Sequence, residues 1–108
     1  MKNGLWITCL LLAAPSTVFA GQTISAVEAD SWVTVSGIVH QITDEDTFVL
    51  KDHTGQIPVY IGPNRMPVQQ GMPVTVHGVV DDDFPREIYA KRIDGENGQS
   101  HTLDHQYD

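Results

Sequence analysis

Between Trp32 and Ile93 the apolar residues recur at every second position, in short runs separated by turn-forming residues. That period belongs to β-strands buried on one face; a helical core needs apolar residues three and four apart. Five runs follow one another. "WVTVSGIVHQI" (32–42) sets Val33 and Val35 against Thr34 and Ser36, and "FVLK" (48–51) sets Phe48 and Leu50 on one face. Ile57, Val59 and Ile61 alternate with Pro58 and Tyr60, and Val74, Val76 and Val80 with Thr75 and His77. "EIYAKRI" (87–93) places Ile88 and Ala90 opposite Tyr89. The turns between them carry Gly, Pro and Asp: Thr43–Asp46, Asp52–Gly55, Gly62–Gly71 and Asp81–Pro85. Pro63, Pro67 and Pro73 rule out a long helix in the third turn.

Two residues inside the runs carry positional information. Gly37 predicts a bulge or sharp bend, after which the apolar phase shifts to Ile38, Val39 and Ile42. Pro58 lacks a backbone donor, so its nitrogen must face an unpaired side of its strand. Upstream, Thr23–Ala29 predicts one helical turn, with Ser25 and Glu28 in capping-box spacing. Five short strands, the first bent, fit an all-β, five-stranded OB-fold barrel with a short N-terminal helical turn. An immunoglobulin-like sandwich wants about seven strands. Residues 94–108 are polar and are expected to be a disordered tail.

The amino terminus predicts export. Lys2 precedes an apolar run from Leu5 to Ala14, Pro15 breaks the run, and Val18-Phe19-Ala20 offers small residues for a signal peptidase. Residues 1–20 read as a signal peptide cleaved before Gly21, with residues 21–93 as the folded domain. The run is too short to span a membrane, which takes about 20 residues. Cys9, the one cysteine, leaves with the signal, so no disulfide or thiolate site is expected afterwards. A domain of this size buries only about 60–65% of its unfolded surface and depends on an efficient core.

Charge narrows the partners. The chain has 6 basic and 14 acidic residues, and loss of Lys2 leaves a net charge of −9. Nucleic-acid binders draw their affinity from Lys and Arg on phosphates, so a nucleic-acid partner is not expected. OB-folds bind on the face of their second and third strands, framed by the loops after the first and fourth. Those loops read "TDED" and "DDDFPRE" and hold Asp44, Glu45, Asp46, Asp81, Asp82 and Asp83. They are either solvated turns or a site for cations or cationic peptides. Tyr60 and Tyr89 fall on the outer face, as cross-strand packing partners or as a stacking surface for a ligand. His101 and His105, four apart, would bind Zn²⁺ or Cu²⁺ only if helical and joined by a further ligand. No nucleophile elbow, phosphate loop or HExxH is present, so neither enzymatic activity nor a cofactor is expected.

The ordered set "WVTVSGIV", "FVLKDHTGQIPVYI", "VTVHGVVDDDF" and "EIYAKRI", behind a signal peptide, resembles the bacterial OB-fold (BOF) family over roughly residues 23–93. The resemblance implies a non-enzymatic periplasmic protein linked to resistance to oxidants, acid or cationic peptides. Its partner would be a small molecule, a cationic peptide or an envelope protein; the alternative is a periplasmic cation or metal binder. Members often carry a tryptophan after the third strand, where this chain has Asn64-Arg65-Met66, so a role tied to that ring does not transfer. Phe84 stands where the family tends to have an aromatic.

Overall fold

The structure, a computed structural model, describes residues 21–104. The expected signal peptide and His105 lie outside the described residues. Six strands form one sheet: β1 (Trp32–Asp44), β2 (Thr47–Asp52), β3 (Gly55–Tyr60), β4 (Pro73–Val80), β5 (Ile88–Gly95) and β6 (Ser100–Thr102). Their order is β3-β2-β1-β4-β5-β6, and a parallel pairing of β3 with β5 closes the sheet on itself. That seam is short, joining Val59 to Ile88 and Tyr60 to Tyr89. The result is the OB-fold barrel expected from the alternation. Val33, Val35, Phe48, Leu50, Ile57, Val59, Val74, Val76 and Ile88, the inward members of the runs, are all buried. Burying such side chains stabilises the fold by about 1.5–3 kcal/mol each, before entropy is counted.

β1 serves two neighbours. Its first half pairs with β4, from Trp32↔Val79 to Ile38↔Pro73, and its second half pairs with β2. The expected phase shift at Gly37 does not occur. Val33, Val35 and Val39 keep one phase, while Ile38 and Ile42 are exposed. Gly37 occupies an inward position where a Cβ would come within 2.5 Å of the Lys51 carbonyl oxygen. It is there for close backbone approach, and the register irregularity falls later, between Val39 and Gln41. Gly78 has the same role in β4, where a Cβ would meet the Tyr89 carbonyl oxygen at 2.2 Å. Pro58 sits as its chemistry requires. The Ile61 N–H donates to Asp46 O on the β2 side (2.9 Å), so by alternation the Pro58 nitrogen turns away from β2.

The helical turn is a single 3₁₀ turn, Ile24–Ala26, and the predicted capping box does not form. Side chains from the β2–β3 turn cap it instead: Ile24 N–H donates to Asp52 Oδ2 (2.9 Å) and Ser25 N–H to Thr54 Oγ1 (3.0 Å). Residues 62–71 form no helix, in keeping with their prolines, and bury Val68, with Met66 and Met72 packed against the core. Residues 94–104 correct the expectation of a disordered tail that starts at Asp94. β5 continues to Gly95, and the chain turns back as β6, which pairs Ser100, His101 and Thr102 with Asp94, Ile93 and Arg92. Leu103 is buried, and its N–H donates to Lys91 O (2.9 Å). Asn64 fastens this segment to the loop after β3: its amide nitrogen donates to Ile61 O and Asp104 O, and its oxygen accepts from Asp104 N–H. Polarity alone misleads here, because a three-residue edge strand with one apolar anchor has no alternation to read.

Candidate functional site

Cross-strand register carries a belt of outward side chains around the barrel: Trp32 opposite Val79, Val79 opposite Tyr89, Tyr89 opposite Tyr60, and Tyr60 opposite Thr47. Along the curved surface of the barrel, three strand spacings separate Trp32 from Tyr60, about 14 Å. Trp32 is 57% exposed. Tyr60 and Tyr89 are half-buried, and their ring centroids lie 5.5 Å apart at 55°, a favourable tilted pair. The packing role expected for these tyrosines is therefore filled, and Tyr60 also lines a cleft with Glu45 and Asp46 of the β1–β2 loop.

The β1–β2 and β4–β5 loops both reach the closing seam. Asp46 O accepts from Ile61 N–H, and Asp81 N–H donates to Glu87 O (2.8 Å). Between them stands Glu87, half-buried, one residue before the seam. Burial raises its pKa above the ordinary value, and the charges of Asp81 and Asp46 raise it further. A second group of carboxylates gathers at the Trp32 end. Asp30, held at φ 62°, donates its N–H to Val80 O, and its charge, with that of Asp83, raises the pKa of exposed Asp82. The carboxylate oxygens of Asp81, Asp82 and Asp83 lie within 4.8 Å of one another. Two of the loop carboxylates also serve their own turns: that of Asp44 accepts the Glu45 N–H (2.8 Å) and that of Asp81 the Asp83 N–H (3.3 Å). Phe84, preceding a cis proline, projects from the same rim at 89% exposure.

The rim therefore joins Asp46, Asp81, Asp82, Asp83, Tyr60 and Tyr89, all flagged by sequence, with Glu87 and Asp30, which sequence reasoning missed. Glu87 reads as the first residue of a strand, and its place between two loops follows from the pairing of β3 with β5. Of the histidine pair only His101 falls among the described residues. His101 lies on β6, an extended strand, so spacing of four does not place it as a helix would, and His105 is outside the described residues. His101 instead borders a cleft of about 180 Å³ floored by Val68, Met72, Val74 and Ile93. His77 faces Thr34 across the β1–β4 ladder. Its ring nitrogens contact Thr34 Oγ1 (3.2 Å) and Asp94 Oδ2 (2.8 Å), in a network that Arg92 and Ser100 complete.

Among the described residues no helix is long and apolar enough to cross a membrane. No curated protein sequence matches the chain. A solved structure of the hypothetical protein YgiW from E. coli is similar at 31% identity and a TM-score of 0.55, covering 66% of this chain and 81% of that one. An OBody, AM1L10, solved bound to hen egg-white lysozyme, shares the fold at a TM-score of 0.57 and 16% identity, covering 80% of this chain and 99% of that one. The family model for the bacterial OB fold matches residues 13–95, so this chain belongs to the bacterial OB fold (BOF) family.

Proposed function

We propose that this small bacterial OB-fold protein is exported to the periplasm, is cleaved before Gly21, and acts there by association rather than catalysis, in tolerance of envelope or oxidative stress. Its charged partners are cationic: a peptide, a small molecule or a basic envelope protein. One observation carries this reading. Two loops that frame an OB-fold's usual face bring their carboxylates together around half-buried Glu87, beside the Tyr60–Tyr89 pair. Gathering like charges works against folding, and a cation relieves the repulsion. The OBody of the same fold, which holds a protein partner, lends support at the level of scaffold. The export reading rests on Lys2, the apolar run after it and Val18-Phe19-Ala20.

Titration of the purified protein with a lysine-rich decapeptide and with a single-stranded oligonucleotide tests the proposal. The peptide is expected to bind, more weakly as salt rises, and the oligonucleotide not to bind at a screening length of about 8 Å. Oligonucleotide binding there, or no peptide binding at low salt, overturns it. Intact-mass analysis of the periplasmic fraction is expected to find a chain starting at Gly21; a cytosolic chain retaining Met1 overturns the export reading.

A further inference from the structure

We infer that the cleft between the β1–β2 loop and the segment after β3 is a binding site for a small zwitterion, a molecule carrying both an ammonium group and a carboxylate. The inference rests on the reading of Tyr60 and the β1–β2 loop as part of the binding face, and it names the ligand class.

The cleft, of about 690 Å³, is lined on one side by Glu45 and Asp46 and on the other by Asn64, Arg65 and Met66, with Tyr60 between them. That volume is in the range of small-molecule sites, roughly 300–1,000 Å³. Its charges are of both signs. Arg65 forms no ion pair or hydrogen bond among the described residues, and neither does the carboxylate of Glu45. Asp46 keeps one contact, accepting from its neighbour Thr47 Oγ1 at 2.9 Å. A guanidinium and two carboxylates thus line one cleft without neutralising one another.

The backbone beneath the cleft is fixed before any ligand arrives. Asn64, next to Arg65, is held by its bonds to Ile61 and Asp104. On the facing side Asp46 O is bonded to Ile61 N–H. The Tyr60 ring is seated against Tyr89. A preorganised backbone reduces the ordering cost of binding. A simple cation entering here meets Arg65 as a repulsive neighbour, and a simple anion meets Glu45, Asp46 and the field of an acidic protein. A molecule with both charges satisfies both sides, its ammonium against Glu45 and Asp46 and its carboxylate against Arg65, with its body over Tyr60.

Calorimetric titration of the protein at low salt with the tripeptide Lys-Gly-Gly, its C-terminal amide, and the lysine-rich decapeptide tests this. The free acid is expected to bind about fivefold tighter than the amide, which is the most that one exposed ion pair supplies. Arg65→Gln is expected to erase that preference while leaving the melting temperature unchanged, since Arg65 is exposed. Equal affinity for acid and amide overturns the zwitterion assignment and leaves cationic binding standing. So does a preference that survives Arg65→Gln. If the decapeptide binds and neither tripeptide does, this cleft is not the site and the inference falls alone. If none of the three binds, the inference and the proposed function fall together.

Discussion

At the acidic rim, Asp30, Asp46, Asp81, Asp82, Asp83 and Glu87 converge from three segments, and the side chains beside them are aromatic. At the closed end, residues 62–71 bury Val68 against the core, Met66 and Met72 pack around it, and Asn64 and Leu103 tie down the end of the chain. Every polar contact at the closed end joins a donor to an acceptor. At the rim, burial and like charges raise the pKa of Glu87, and like charges raise that of Asp82, so the native state opposes their charged forms. A domain that buries so little surface has little stability to spare. The like charges of the rim thus oppose folding, while the apolar packing of the closed end supports it.

The largest effect expected is in the core shared by both regions. Phe48 is fully buried, and Phe48→Ala should cost about 3–5 kcal/mol, enough to leave little folded protein by urea denaturation. An unchanged melting temperature would break the assignment of inward faces on which the comparison stands. Next comes the closed end: Leu103→Ala should cost about 2 kcal/mol, the lower bound for a buried leucine. Deletion of residues 96–108 should lower the melting temperature clearly, where a disordered tail would leave it unchanged.

Acid should separate the regions by sign. At Asp94 burial favours the neutral acid, but hydrogen bonds from Ser100, His77 and Arg92 outweigh it and hold the pKa below 3.8. Its contribution to stability is full above that value and is lost as pH falls toward the lower folded value. Glu87 runs the other way. Its folded pKa lies above 4.5, so its charge destabilises the fold at neutral pH, and that penalty is relieved as pH falls through the folded value toward 4.5. Glu87→Gln should therefore stabilise the protein at pH 7 and not at pH 4. Asp94→Asn should destabilise it at pH 7, with the difference shrinking as pH falls below 3.8. Thermal melts at several pH values would show whether the two variants diverge in this way.

The smallest effect on stability belongs to the exposed rim. Asp81, Asp82 and Asp83 changed together to Asn should leave the fold intact and raise the melting temperature slightly, since turns accept Asn and the repulsion that raises the Asp82 pKa is removed. The same change should weaken decapeptide binding chiefly at low salt. Unchanged low-salt affinity would move the binding face away from the β4–β5 loop.

How much of this was legible before the fold was known follows from what sequence patterns encode. Alternation marked the inward residues because a half-buried strand forces period two, and Phe48 and Val76 obey it without exception. Acidic loops were legible as composition, but their convergence was not, because Glu87 meets Asp46 only through the pairing of Tyr60 with Tyr89. Gly37 was legible as special, yet a bulge and a close approach leave the same residue in the same place. β6 and Arg65 gave no signal: one is a polar edge strand, and the other is an exposed cation whose surroundings come from a distant loop.

The short seam between β3 and β5 also sets an order in time. When the chain emerges amino terminus first, β1, β2 and β3 can pair as a meander as soon as Tyr60 has emerged. The first half of β1, Trp32–Ile38, must wait for β4, and closure must wait for Ile88 and Tyr89. Until then the meander carries two bare edges, with Trp32 and the unpaired flank of β3 exposed to any other strand nearby. β4 removes the first hazard and β5 then covers the end of β3, and the residue that immediately precedes this final joint is Glu87, whose burial and like-charged neighbours oppose the closing.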